Sequence, residues 1–297
     1  MMTPDSIEEI MRRVHLLEIK ARRLARETFS GEYQSSFKGS GLDFEDYREY
    51  QHGDETRFID WNVTARKDHP YIRTFREERE LSVILAVDVS GSSLYGSKQL
   101  SKRELAAELA AIIAFSANFN GDKTGLLLFA NEPLLYLPPT KGNKHVLRII
   151  REILAAEPDD PRTSITAACD FLLHTVKRKA LVFMISDFFA HDLQRPLGAL
   201  ASKHDAIALR VIDPAEQKLP RIGTVTLNDP ETGWQTTVNT NNSQLRMGFD
   251  KLTRRHKEGI TSLFKKHGID HLSLSTTGDY LPPLHRLFRL RTRRRNS

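Results

Sequence analysis

Two short runs, residues 81–87, apolar but for Ser82, and 180–185, constrain the fold most. A strand that is apolar along its whole length has both faces covered, which points to a parallel sheet with helices on either side. The segment between them obeys that expectation. Ser101-Lys-Arg-Glu104 has the form of a capping box, and Leu105, Leu109, Ile112, Ile113 and Phe119 then mark one helix face. Further strands are predicted at 125–129, 206–212 and 269–273, with an edge strand at 133–137. Helices are predicted at 144–155, around Ile165, Ala168, Leu172 and Val176, and near 194–203 and 244–267. Strands separated by helices of this length form a mostly parallel sheet, and the connection rules leave a doubly wound, Rossmann-like α/β sandwich. Its domain runs from 81 to 290, with a hairpin insert at 223–238 that carries Asn228-Asp-Pro-Glu-Thr-Gly233.

Residues 1–80 differ in character. Ile7, Ile10, Met11, Val14, Leu17 and Leu24 recur at helical spacing, so an amphipathic helix is expected from Ser6 to about Thr28. From Phe29 to Glu80 the chain is aromatic and densely charged, and 57–63 and 71–75 alternate as strands do. Asp54, Arg57, Asp60 and Arg66 there either dock a partner or form an internal ion network, with Trp61 as an anchor of the segment.

Composition excludes several classes. No run approaches the roughly 18 apolar residues of a membrane span, and the first residues lack a basic-then-apolar leader, so a cytoplasmic protein is expected. A lone cysteine, Cys169, excludes an internal disulfide and a Cys-rich zinc site. The net charge is +6, and Arg286, Arg289, Arg291, Arg293, Arg294 and Arg295 equal that excess. The end of the chain, 291–297, therefore reads as a solvated basic tail, with attraction to nucleic acid or another anionic surface as the alternative. The body of the chain carries no specific nucleic-acid signal.

The chemistry sits where the strands stop. Val87 leads into Asp88-Val-Ser-Gly-Ser92, and Ser186 leads into Asp187. In an open parallel sheet both carboxylates reach one crevice at the carboxyl ends of the strands. The loop Arg162-Thr-Ser164 opens onto the same edge. Asp88 and Asp187 supply charge, and Ser90, Ser92 and Thr163 supply neutral oxygens, a set that suits Mg²⁺ or Mn²⁺ with one position open for a water or an incoming carboxylate. Ser90 and Ser92 are expected to face a solvent-filled crevice. No histidine or lysine is placed there by motif, and no Walker A, dinucleotide fingerprint or nucleophile elbow occurs, so no enzyme is expected. A magnesium-dependent phosphohydrolase or nuclease is the alternative use of the same cluster.

Asp88-x-Ser-x-Ser92 with Thr163 and Asp187 resembles the metal-ion-dependent adhesion site of von Willebrand factor A domains. The resemblance implies that the hydroxyls hold the cation, that the aspartates act largely through water, and that a partner's Asp or Glu completes the shell. Pro161-Arg162 replaces the usual pair of glycines, which leaves Thr163, Ser164 and Thr166 open as the threonine-type ligand, with Thr163 fitting best. The upstream block, Phe37-Lys-Gly-Ser-Gly-Leu-Asp-Phe-Glu-Asp-Tyr-Arg-Glu-Tyr50 with Gly53-Asp54, Ile59-Asp-Trp61 and Phe75-Arg-Glu-Glu-Arg79, is similar to the domain of unknown function 58 family. That resemblance implies a partner role beside a MoxR-type AAA+ ATPase in protein maturation or complex assembly.

Overall fold

The chain opens with α1 (Pro4–Leu24), whose apolar stripe carries Val14 and Ala21 into the core. The computed structural model describes residues 4–26, 33, 42–67, 69–77, 80–98, 100–190 and 192–295. It divides into two units, one of Phe37–Leu81 and one of Met1–Ser36 with Ser82–Ser297.

Within the smaller unit, β1 (Leu42–Glu49) and β2 (Tyr71–Glu77) pair antiparallel, on either side of the short helix α2 (Trp61–Thr64). The alternating stretch at 57–63 is not a strand. Asp60 accepts the Asn62 and Val63 N–H groups and starts a helical turn there, leaving a single bridge from Ile59 to Ile72. Two acids of this unit pair internally, Asp54 with both terminal guanidinium nitrogens of Arg48 and Asp60 with Arg73. Trp61 is 69% exposed and anchors nothing in the unit's interior. Residues 37–41 and Glu78-Arg79 of the family block, the Arg57 side chain, and residues 27–28 and 296–297 lie outside the described residues.

The larger unit is an α/β sandwich. Its strands are β3 (Ser82–Asp88), β4 (Lys123–Phe129), β5 (Pro133–Thr140), β6 (Leu181–Ser186), β7 (Asp205–Ile212) and, after the hairpin β8 (Thr224–Asn228) and β9 (Gln235–Asn239), β10 (Asp270–Ser275). The sheet order is β10-β7-β6-β3-β4-β5, parallel except for β5, which runs antiparallel at the edge beside β4. Helices α3 (Lys102–Phe119), α4 (Asn143–Leu154), α5 (Ile165–Thr175), α6 (Gln194–Lys203), α7 (Ser243–Lys266) and α8 (Leu281–Arg295) complete it.

Side chains alternate across the sheet, so each strand feeds two cores. Ile84, Ala86, Val182 and Met184 pack with α5, α6 and α7 residues such as Leu172, Leu197 and Phe264 in one cluster. Val83, Leu85 and Val87, equally buried, take the opposite face, where α3 touches β3, β4 and β7. α1 packs outside that layer against α3 and α4, with Arg13 paired to Glu104 and Lys20 to Glu108. The sandwich is therefore wound on both faces. Among the described residues no helix is long and apolar enough to cross a membrane.

The basic tail is a correction. α8 continues to Arg295, and Arg291 is buried against Asp205 and Asp270, with Arg294 also on Asp270. Those acids open β7 and β10, far away in sequence, so the arginine run looked uncompensated.

Candidate metal site

The chain leaves β3 for β4 on one side and later returns to β6 on the other, so the gap between the carboxyl ends of β3 and β6 is the switch point of the sheet. Asp88 ends β3 there, and Asp187 follows Ser186 at the end of β6. A small cavity between them is lined by Asp88, Ser92, Lys102, Ser186 and Asp187.

Local hydrogen bonds explain why each loop turns as it does. Asp88 Oδ1 accepts the Ser90 N–H at 3.0 Å, bending the loop back over its own carboxylate. Asp88 Oδ2 accepts the Ser186 hydroxyl at 2.7 Å, which ties β3 to β6. The 3-10 turn Gly91–Leu94 follows, held by Ser93 Oγ on the Ser90 carbonyl and by Arg103 on Ser93 Oγ and the Val89 carbonyl. After β6, Phe188 takes a left-handed φ of 57°, an uncommon conformation for a bulky residue. It is held by its N–H on Ser186 Oγ and by a perpendicular ring contact with Phe264 at 5.0 Å.

These turns bring four of the five expected donors into one chain of contacts. Ser90 Oγ lies 3.2 Å from Ser92 Oγ, and Ser92 Oγ donates to Asp187 Oδ2 at 3.0 Å. Ser90 is fully buried rather than facing solvent, and Ser92 is half-buried. Thr163 arrives on the neighbouring loop, which the Gly91 N–H grips through the Pro161 carbonyl at 2.7 Å. The three open threonine-type positions separate here. Ser164 Oγ caps α5 by accepting the Ala167 N–H, and Thr166 is exposed on that helix. Thr163 Oγ1 instead donates to Glu231 Oε1 at 2.7 Å, and its N–H to Glu231 Oε2 at 3.2 Å.

Two groups at the site were not read from the sequence. Lys102, the first residue of α3, donates to Asp187 Oδ2 and to Glu216 Oε1, both at 2.7 Å. A lysine therefore stands at the cluster, contrary to expectation, because the helix start that Ser101 caps lies beside the Gly91–Leu94 turn. Glu231 lies in the loop between β8 and β9, where Asp-Pro-Glu-Thr-Gly read only as turn chemistry.

The electrostatics of the two aspartates diverge. Burial and the charge of Asp187 push the Asp88 carboxyl up, to about 6, against the Ser186 and Ser90 hydrogen bonds. Burial also pushes Asp187 up, but the Lys102 ammonium, the Phe189 N–H and the Ser92 hydroxyl outweigh it and hold Asp187 below its ordinary value. Burial pulls Lys102 down, and Asp187 with Glu216 more than reverses this, so Lys102 stays an ammonium and is no base.

Whether these residues suit a divalent cation can be tested on donor spacing and charge. Two oxygens at right angles, each about 2.1 Å from one ion, lie about 3.0 Å apart. The Ser90–Ser92 and Ser92–Asp187 oxygen pairs, hydrogen-bonded to one another at 3.2 and 3.0 Å, also have the length of that edge. Asp88 is buried with both oxygens held by neutral donors and the Arg103 guanidinium near enough to feel its charge, so a nearby cation would add to that compensation. Among the described residues no group of three or more His, Cys, Asp or Glu side chains could hold a metal, so a cation here would depend on the hydroxyls. The donor set fits.

Residues 46–259 match the family described as "Protein of unknown function DUF58". The chain is 32% identical over 281 residues to uncharacterized protein Rv1480 of Mycobacterium tuberculosis, covering 93% of this chain and 88% of that one. A Mycobacterium avium protein, also described as uncharacterized, is 33% identical over 159 residues, which cover 52% of this chain and 94% of the relative. Among solved structures, an aerotolerance-related membrane protein from Bacteroides fragilis aligns with a TM-score of 0.48 and 16% identity, over 72% of this chain and 99% of that one. BatB from Bacteroides thetaiotaomicron aligns with a TM-score of 0.45 and 18% identity over the same shares.

Proposed function

The chain belongs to the DUF58 family, and we propose that its larger unit is a von Willebrand factor A-like module that binds a partner protein through a divalent cation. Asp88, Ser90, Ser92, Thr163 and Asp187 hold Mg²⁺ or Mn²⁺ in this reading, and an acidic side chain of the partner completes the shell. The ion supplies an electrophilic anchor for one carboxylate. The chain's own residues do the rest: the Asp88 and Asp187 turns fix the loops, and Lys102 balances Asp187 without entering chemistry. The partner we assign is a MoxR-type AAA+ ATPase, for which the chain acts as a non-enzymatic adaptor or effector.

The observation that carries the proposal is the run of oxygen donors from Ser90 through Ser92 to Asp187 at octahedral-edge spacing. A hydrolase would need a base or nucleophile at the same place, and the lysine nearest the cluster is buried between two carboxylates and protonated. The test is retention of a purified MoxR-type ATPase on the immobilised chain. Retention is expected in Mg²⁺, loss is expected in EDTA, and recovery is expected on adding Mn²⁺. Equal retention with and without the cation would remove the metal from the interaction.

A further inference from the structure

The loop joining β8 to β9 is shaped by one acid and presents another. Asp229 is consumed internally: its N–H donates to the Trp234 carbonyl, its carbonyl accepts the Gly233 N–H, and its carboxylate accepts the Glu231 N–H at 2.9 Å and the Thr232 hydroxyl at 2.6 Å. Gly233, at φ 72°, allows the return. Glu231 is left as the carboxylate that the loop carries outward, and it is half-buried on Thr163.

The seat of this loop is built into the site. Gly91 lies between Ser90 and Ser92, and a Cβ there would fall 2.3 Å from the Pro230 carbonyl oxygen and 3.1 Å from Pro161 Cβ. Only glycine permits that approach. The hairpin tip is thus packed against the serine loop through Pro230 and against the threonine loop through Glu231. Both Glu231 oxygens take neutral donors from Thr163 while Asp187 and Asp229 stand near enough to repel them. Lys102 already offsets Asp187, and bringing a further half-buried carboxylate toward these acids is unfavourable unless more positive charge joins them.

We propose that Glu231 is an internal ligand of the cation site, closing it with this chain's own carboxylate, so that an acidic partner must compete with the hairpin for one position. The inference rests on the cation reading above, and its test separates the two. The probe is the metal alone: Mg²⁺ titrated calorimetrically into the full chain, into Glu231→Gln and into Asp88→Asn. Amide hydrogen exchange at residues 228–235 is followed in parallel.

Wild type is expected to bind Mg²⁺, and Glu231→Gln to bind it about tenfold more weakly, as loss of one supporting oxygen group costs at other metal sites. Mg²⁺ should slow exchange in the loop of wild type and leave that of Glu231→Gln unchanged. Glutamine keeps the size of the side chain and one acceptor oxygen for the Thr163 N–H, and its amide can donate to Thr163 Oγ1, so a mere loop anchor would survive the exchange with the metal affinity intact. Wild-type affinity in Glu231→Gln, with loop exchange blind to Mg²⁺, overturns the internal ligand and leaves the cation site standing. No Mg²⁺ uptake by wild type overturns both.

Discussion

Lys102→Met is expected to lower the unfolding free energy by about 3–5 kcal/mol, the usual cost of removing one partner from a buried ion pair. Lys102 is 3% exposed and bridges Asp187 and Glu216, so methionine keeps the length and packing of the stem while deleting the charge. Asp187 would then face Asp88 with no ammonium beside it. Glu216, a third exposed, recovers water and contributes little of the loss. Urea denaturation measures the change. Mg²⁺ should narrow the deficit only as far as the variant, freed of the competing ammonium, binds the ion more tightly than wild type. A cation bound to the folded state stabilises either chain, by about 2.7 kcal/mol at a hundred times its dissociation constant. A loss below about 1 kcal/mol would show that the lysine does not compensate the cluster.

Asp88→Asn is expected to separate binding from folding. Asparagine preserves the shape and retains an acceptor for the Ser90 N–H, and its amide can donate to Ser186 Oγ, which accepts the Phe188 N–H as well. It removes a charge whose carboxyl burial already pushes up, so stability should stay within about 1 kcal/mol of wild type or rise. Cation affinity should fall at least about a hundredfold, the upper range seen even for groups that only support metal ligands. Melting curves and calorimetry on the same preparation check both halves. A variant that unfolds early would make Asp88 a structural residue first, and one that binds Mg²⁺ normally would remove it from the site.

Much of this arrangement was legible before the fold was known. The apolar runs at β3 and β6 announced strands covered on both faces, and an aspartate at or just after each strand end fell at the switch point as the topology requires. The capping box at Ser101 marked the start of α3 to the residue. What escaped was set by contacts between distant residues. Lys102 reads as an ordinary first-turn lysine until Asp187, 85 residues on, is folded beside it. Glu231 reads as a turn residue until its hairpin is laid on Thr163, 68 residues before it. Arg291 reads as a tail until Asp205 and Asp270 come to meet it. The stretch at 57–63 misled for a local reason, since its alternation is strand-like but Asp60 caps a helical turn instead.

The most direct test of the central claim is anomalous diffraction at the manganese edge from a crystal of the full chain grown with MnCl2. The account requires one strong peak at the carboxyl ends of β3 and β6, about 2.1–2.2 Å from Ser90 Oγ and Ser92 Oγ, as expected for a hard cation in oxygen ligands. A crystal with manganese bound only elsewhere on the surface, or with none, would contradict it.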